Sequence, residues 1–423
     1  MNILLLFGSM TILLALSVPI GISLGFATAI TLAYTQSAPL MLIAQNAFAT
    51  LDSFPLLAIP FFMLAGSLMS YGGISRRLVN LADSMVGAIT GGLAMITVTA
   101  CMFFAAISGS GPATVSAIGS FMIPAMKAKM YDDDFAAALT ATAGSIGVII
   151  PPSIPFVIYG VVSGASVGEM FISGIIPGII IGFALMVLSY KVAKKRGYPR
   201  SQNRMSVGKA FREAWWALLV PIIILGGIYG GIFTPTEAAV VASVYALIIG
   251  KFVYKELDFK TTYAAFKDAS MVNGATTFMI GLSMSFATYL TMEQVPAHIC
   301  NWILTISSNP YVVLLIIDVL LLIVGCFVDN ISSMIILTPI LLPIVIKLGI
   351  DPVHFGLVMT VALATGFVTP PYGANLFVSS AVSGVDMVRL SKAVVPFIVV
   401  MVFCLLLFTY FPSISMVLVR LLR

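Results

Sequence analysis

Charge is what this chain has least of. Of its 423 residues, 9% are Asp, Glu, Lys or Arg and 60% are hydrophobic, and mean hydropathy is +1.11. A soluble domain carries about 25% charged residues, so this chain lacks the polar surface to cover itself in water. Its length alone would allow two or three soluble domains. The composition removes them, along with disorder, a secreted disulfide scaffold and nucleic-acid binding. Histidine is nearly missing, with two residues, too few for the proton or haem arrays of a respiratory membrane subunit. Cysteine is scarce: Cys101, Cys300, Cys326 and Cys404 lie far apart among apolar residues. They read as buried free thiols, without metal or redox spacing. The apolar start also lacks a basic n-region, so residues 1–16 read as a retained first helix. What remains is a polytopic membrane protein surrounded by lipid.

A spanning helix needs about 20 mostly apolar residues. Spans are predicted near 2–18, 19–36, 54–71, 135–162, 168–190, 214–233, 236–254, 271–291, 295–308, 353–380 and 385–411. Segments 73–89 and 255–269 read as amphipathic, and stretches 92–130 and 311–346 are each interrupted by a polar break. The one strongly polar connector, 191–212, holds Lys191, Lys194, Lys195, Arg196, Arg200, Arg204, Lys209 and Arg212. Basic residues accumulate in cytoplasmic loops. With this connector inside, the crossings put every Lys and Arg inside except Lys347, Arg420 and Arg423, and both chain ends outside. Trp215 and Trp216, just after the connector, suit an interfacial anchor.

The two halves resemble each other at a nearly fixed spacing. Gly147-x-x-x-Pro151-Pro152 returns 219 residues later as Gly366-x-x-x-Pro370-Pro371. Pro124 returns as Pro343 and Pro177 as Pro396 at that spacing, and Ser163-Gly164 as Ser383-Gly384 at 220. Proline inside a helix costs about 3 kcal/mol, so matched prolines argue for duplication. The halves, 1–212 and 213–423, cross in opposite senses. The chain therefore reads as an all-α polytopic membrane protein built from an inverted-topology repeat, which points to a secondary transporter. A passive channel fits the matched breaks less well.

Interrupted segments in matching positions mark the transported site. Stretches 92–130 and 311–346 read as re-entrant hairpins with tips at 108–114 and 328–333. Segments 135–162 and 353–380 read as helices broken at their Pro-Pro pairs, where the residue before each second proline is pushed out of helical geometry. Unwound backbone at membrane depth persists only where it is buried in protein or lines a wet cavity. Its free carbonyls suit a dehydrated Na⁺, and the helix N-termini suit an anion. The expected Na⁺ ligands are Ser108, Ser110 and Gly111 facing Gly144, Val148 and Pro151, and Asp329 and Asn330 facing Thr365, Gly366 and Thr369. For the substrate the candidates are Ser110, Pro112, Thr114, Ser153, Asn330, Tyr372 and Asn375. Asp329 reads as either an intramembrane functional acid or a helix cap. Asp318 reads as a scaffold contact or an interfacial acid. Glu237 reads as a cap after Thr234-Pro235-Thr236, and Asp132, Asp133 and Asp134 as a cap and a solvated turn. His298 and His354 read as isolated, near the outer ends of segments.

These motifs make a resemblance specific. Ser108-Gly109-Ser110-Gly111-Pro112, Pro151-Pro152-Ser153, Thr234-Pro235-Thr236-Glu237-Ala238-Ala239 and Thr369-Pro370-Pro371-Tyr372-Gly373 resemble the large membrane subunit of tripartite ATP-independent periplasmic (TRAP) transporters, over essentially the whole chain. The resemblance implies a protein of the bacterial inner membrane that takes up carboxylate-bearing solutes such as C4-dicarboxylates, sialic acids or keto acids, coupled to Na⁺. It also implies an elevator mechanism, a periplasmic substrate-binding protein that delivers the solute, and a separate small four-helix membrane subunit. The rival within transport is a stand-alone Na⁺–dicarboxylate symporter; carriers of that kind often show Ser-Asn-Thr at the tips, where this chain has Ser110-Gly111-Pro112 and Asp329-Asn330.

Overall fold

The computed structural model describes residues 2–201, 205–307, 309–371 and 373–422; among them are 20 α-helices and no strand. The first half contributes α1 (Asn2–Ala15), α2 (Ile20–Thr35), α3 (Met41–Leu51), α4 (Ala58–Tyr71), α5 (Ile74–Val86), α6 (Gly92–Ser108), α7 (Gly111–Ala128), α8 (Asp133–Gly144), α9 (Ile154–Ser163) and α10 (Val167–Arg196). The second contributes α11 (Val207–Tyr229), α12 (Pro235–Ile248), α13 (Phe259–Met292), α14 (Val295–Ile306), α15 (Pro310–Gly325), α16 (Asn330–Lys347), α17 (Pro352–Gly366), α18 (Ala374–Ser383), α19 (Met387–Tyr410) and α20 (Pro412–Leu422). Six helical segments are long and apolar enough to cross a membrane by themselves.

Several boundaries differ from the sequence expectation, each for a local reason. Segments 255–269 and 271–291 are one helix, α13. Asp258 starts it by accepting from the Thr261 amide at 2.7 Å, and neither Gly nor Pro interrupts it before Gly274. The basic connector is shorter than expected, because α10 runs to Arg196 and α11 already begins at Val207. Two short helices were not expected. One is α3, which buries none of its residues; the other is α20, which starts at Pro412 after Phe411 leaves helical geometry. The residue before a proline is disfavoured in the α region, so α19 ends there.

The helices fall into two groups that also pack on each other, α5 on α6 and α13 and α14 on α16. In one, α1–α5 pack with α11–α14. Hydroxyls tie them: Thr236 donates to the Phe54 carbonyl at 2.9 Å, Ser243 to Phe61 at 2.7 Å, Ser67 to Ala265 at 2.9 Å and Ser285 to Ile43 at 3.0 Å. In the other, α6–α10 pack with α15–α20, and the halves interlock. Helix α18 lies on α7 and α8, and α9 lies on α16. Ser379 donates to the Ala137 carbonyl, Tyr159 to Pro352 and Lys127 to Ser383, each at 2.7 Å. At the centre run α8 and α17, buried from Phe135 to Gly144 and from Val353 to Gly366. Their apolar character on every face marks interior helices, and the small residues of α8 let neighbouring backbones approach closely.

Polar contacts brace the ends. Arg76 and Arg77 both reach Glu256 at 2.7 Å, and Arg77 lies over the Tyr254 ring. Glu237 and Thr234 form a capping box at the start of α12. Asp132, expected as a cap, makes no side-chain cap bond. Its carboxylate instead takes the Tyr198 hydroxyl at 2.8 Å and pairs with Arg196, holding the end of α10 to the turn before α8. Cys101 and Cys404 are buried free thiols and Cys326 is half-buried; the Cys300 side chain lies outside the described residues. Trp215 and Trp216 are exposed.

Candidate functional site

The first hairpin turns at Gly109–Ser110. Gly109 takes φ +62°, Ser110 is extended, and the Ser110 hydroxyl caps α7 by accepting from the Ala113 amide at 3.5 Å. Inside the tip the polar groups satisfy one another: Ser108 and Thr114 hydroxyls are 2.9 Å apart, and Thr114 donates to the Ser110 carbonyl at 2.8 Å. The first broken helix stops at Gly144, makes one tight turn over Ser145–Val148, and restarts at Ile154 after a cis Pro151–Pro152 bond. Ser153 caps α9 and donates to the Val148 carbonyl at 2.6 Å. The tip is seated on this break. The Ile154 amide donates to the Gly109 carbonyl at 3.2 Å. Gly147 lies so close that a Cβ there would stand 2.6 Å from the Ser110 carbonyl oxygen, and a Cβ on Gly144 would be 3.3 Å from that of Gly111.

The second hairpin repeats the geometry with different chemistry. Asp329 opens α16 by accepting from the Ser332 amide at 3.0 Å, so its capping role is real. Yet its other oxygen, Oδ1, is buried without a hydrogen-bond partner, as are both amide atoms of Asn330 and the hydroxyls of Ser332 and Ser333. Leaving one such group unmatched costs about 1–3 kcal/mol. Five together make this tip the most under-satisfied polar cluster in the described interior. The second break follows Gly366, and Pro370–Pro371 is also cis. Gly366 packs on the Gly325 backbone, while Thr365 and Thr369 donate to the Val361 and Thr365 carbonyls, each at 2.8 Å. Here the hairpin meets the break through Gly325, just ahead of Asp329 and Asn330.

The two halves also meet across the site. Asn375 of α18 is buried and donates to the Ala141 carbonyl at 3.0 Å and the Ser145 hydroxyl at 3.1 Å, with its Oδ1 unpaired beside Gly111. Alongside the first tip lies a cavity of about 360 Å³ between the hairpin and the other body. Ser108, Ser110 and Ser116 line it from the hairpin, Ser67, Ser70 and Tyr71 from α4, and Asp268 from α13. Tyr71 donates to Asp268 at 2.5 Å.

Of the residues anticipated from sequence, Ser108 and Ser110 line this cavity. Pro112 and Thr114 occupy the first turn of α7, with Thr114 buried, and Ser153 is buried and engaged with Val148. Tyr372 lies outside the described residues. The sequence reading missed Ser67, Ser70, Tyr71, Ser116 and Asp268. Ser67, Ser70 and Tyr71 form an i, i+3, i+4 stripe in an otherwise apolar span, a signal that could have found them. Asp268 was hidden in the segment 255–269, read as amphipathic. Asp318 and His354 are buried and partnered: Thr409 donates to Asp318 at 2.8 Å, and His354 bonds Ser415 of the unexpected α20 at 2.9 Å.

The sequence model of the family described as tripartite ATP-independent periplasmic transporter, DctM component, matches residues 7–414. The isethionate TRAP transporter permease protein DctMQ of Oleidesulfovibrio alaskensis is 51% identical over 97% of this chain, which spans 65% of that longer protein. The C4-dicarboxylate TRAP transporter large permease protein DctM of Pseudomonas aeruginosa is 41% identical, over 94% of this chain and 93% of its own length. The sialic acid TRAP transporter large permease protein SiaM of Vibrio cholerae is 40% identical, over 98% and 97%. Among solved structures the YdaH transporter of Alcanivorax borkumensis shares the fold, with TM-score 0.65 at 14% identity over 91% of this chain and 89% of that one. The chain thus belongs to the tripartite ATP-independent periplasmic transporter family as a large permease component, a multi-pass protein of the bacterial inner membrane.

Proposed function

We propose that this chain moves a small organic anion across the inner membrane in symport with Na⁺, one ion at each hairpin tip. The observation that carries the coupling is the second tip. Asp329 Oδ1, Asn330 Oδ1 and the hydroxyls of Ser332 and Ser333 are buried and unmatched, and oxygen donors of this kind suit a hard monovalent cation. At the first tip, Ser108, Ser110 and Gly111 bring hydroxyl and carbonyl oxygens beside Gly144 and Gly147. The cavity next to that tip is the place for the anion. The relatives' substrates, isethionate, C4-dicarboxylate and sialic acid, support an organic acid as cargo. The two-body packing supports an elevator movement, with α6–α10 and α15–α20 sliding against α1–α5 and α11–α14. A soluble binding protein delivers the anion, and a small four-helix subunit packs beside the chain.

Uptake into proteoliposomes containing all partners tests this. An inward Na⁺ gradient should be required; equal uptake with K⁺ in place of Na⁺ and an imposed proton gradient rules out the coupling. Full-rate uptake without the binding protein would favour the stand-alone symporter.

A further inference from the structure

The cavity beside the first tip has walls of opposite polarity. On one wall is the N-terminus of α7, an 18-residue helix capped by Ser110, with Ser110, Ala113 and Ser116 facing the cavity on successive turns. The positive end of the helix dipole and these hydroxyls favour negative charge there. On the other wall are Tyr71 and Asp268. Ser67 and Ser70 also line this wall; Ser67 donates to the Ala265 carbonyl and Tyr71 donates its hydroxyl hydrogen to Asp268 Oδ2, so the one charged group here is a carboxylate, which opposes a second negative charge. No Lys or Arg is among the described residues lining the cavity.

A plain dianion spanning this cavity would set one of its acidic groups against Asp268. A molecule with a hydrogen-bond donor at that end would instead satisfy the free acceptor capacity of the carboxylate. Resting on the transport reading above, we infer that the cargo is a small anion whose far end carries a donor, a hydroxyl or an ammonium, and that Asp268 sets this preference. The acidic group lies toward Ser108 and Ser110 and the donor toward Asp268. Asp268 is a specificity-determining residue in this scheme, and Tyr71 orients its carboxylate.

The test is calorimetric titration of the purified membrane complex in nanodiscs, in Na⁺ buffer, with four probes: 2-hydroxyethanesulfonate, 2-aminoethanesulfonate, ethanesulfonate and succinate. At least one donor-bearing sulfonate should bind about tenfold or more tighter than ethanesulfonate and succinate, as expected for a hydrogen bond to a charged group. The stronger of the two identifies the donor. Asp268→Ala should bring ethanesulfonate within about twofold of that ligand and improve succinate binding. Tyr71→Phe, which leaves the carboxylate in place, should keep the ranking. The inference is overturned if ethanesulfonate or succinate binds wild-type protein as tightly, if neither donor-bearing probe binds, or if the ranking survives Asp268→Ala. Asp268 is exposed, so the variant should fold; if it does not, the wild-type ranking decides. Repeating the titrations in K⁺ separates the two readings, because loss of Na⁺ dependence overturns the coupling and leaves the ranking to judge this inference.

Discussion

The two hairpin tips share a backbone plan and differ in chemistry. Ser110 and Asp329 stand 219 residues apart in sequence, and each caps the second arm of its hairpin. At the first tip the hydroxyls of Ser108 and Thr114 find each other. At the second, the groups around Asp329 are left unmatched. The surroundings differ as well. Arm α16 packs onto α13 and α14, whereas α7 stands off from α4 and leaves the cavity between them. The two matched stretches carry equivalent scaffolds for unwound backbone and different side chains. One tip is a self-satisfied wall of an open cavity. The other is an acid-bearing cluster held closed against the neighbouring body.

The comparison breaks most readily at its shared geometry. Gly147 and Gly366 are matched by the repeat, and a Cβ on either would run into backbone, that of Ser110 or of Gly325. Side chains can yield to overpacking, but these carbonyls and Cα atoms cannot move without dragging the tip. Gly366→Ala and Gly147→Ala should therefore each cut Na⁺-driven uptake by at least about tenfold, consistent with an overpacking cost of 1–3 kcal/mol. Uptake normalised to folded protein in size-exclusion profiles checks this. Wild-type uptake by Gly366→Ala would show that the seating of tip on break is dispensable.

The chemical difference between the tips predicts a smaller, unequal effect. Asp329→Asn removes the only carboxylate at either tip, and should raise the Na⁺ concentration for half-maximal uptake by about tenfold. Ser110→Ala removes one hydroxyl among carbonyl donors and should raise it by about threefold. Sodium titrations of initial rate in the two variants compare them directly. Equal shifts would mean that the acid at the second tip is a cap and nothing more.

Much of the shared plan was readable in the sequence, because paired prolines and clustered glycines mark broken backbone, whereas single prolines such as Pro124 and Pro177 lie inside continuous helices. The hairpins, the Pro-Pro breaks and the 219-residue repeat all rest on such residues. Contacts made by ordinary residues across the fold were not readable. Asp268 sits beside Lys267 in a run that looks like a solvated helix face, and only the packing of α13 against α4 and the first hairpin brings it to the cavity. His354 looked isolated because its partner, Ser415, lies on a helix hidden behind Pro412. Asn375 was legible as a polar residue after the second break, but its bonds to Ala141 and Ser145 depend on the interlocking of α18 with α8.

One more matched pair sharpens the comparison at its weakest point. Thr99 in α6 and Asp318 in α15 are also 219 residues apart, and each ties the first arm of its hairpin to the long helix that follows its repeat's broken helix. Thr99 donates to the Met186 sulfur of α10 at 3.6 Å, and Asp318 accepts from Thr409 of α19 at 2.8 Å. Here too the second half carries the carboxylate. Thr409→Val strips the buried Asp318 of its hydroxyl donor and should destabilise the protein by about 1–3 kcal/mol. Adding Asp318→Leu removes the orphaned acid and should recover much of that loss, since replacing both partners of a buried polar pair by apolar groups is nearly neutral. Thr99→Val gives up only a long hydroxyl–sulfur contact and should cost less than about 0.5 kcal/mol. Thermal unfolding midpoints of the purified variants should therefore fall furthest for Thr409→Val, less for the double variant and least for Thr99→Val. A midpoint for Thr99→Val as low as that of Thr409→Val would mean that the arm is anchored by its position in the repeat rather than by the bond to the carboxyl group.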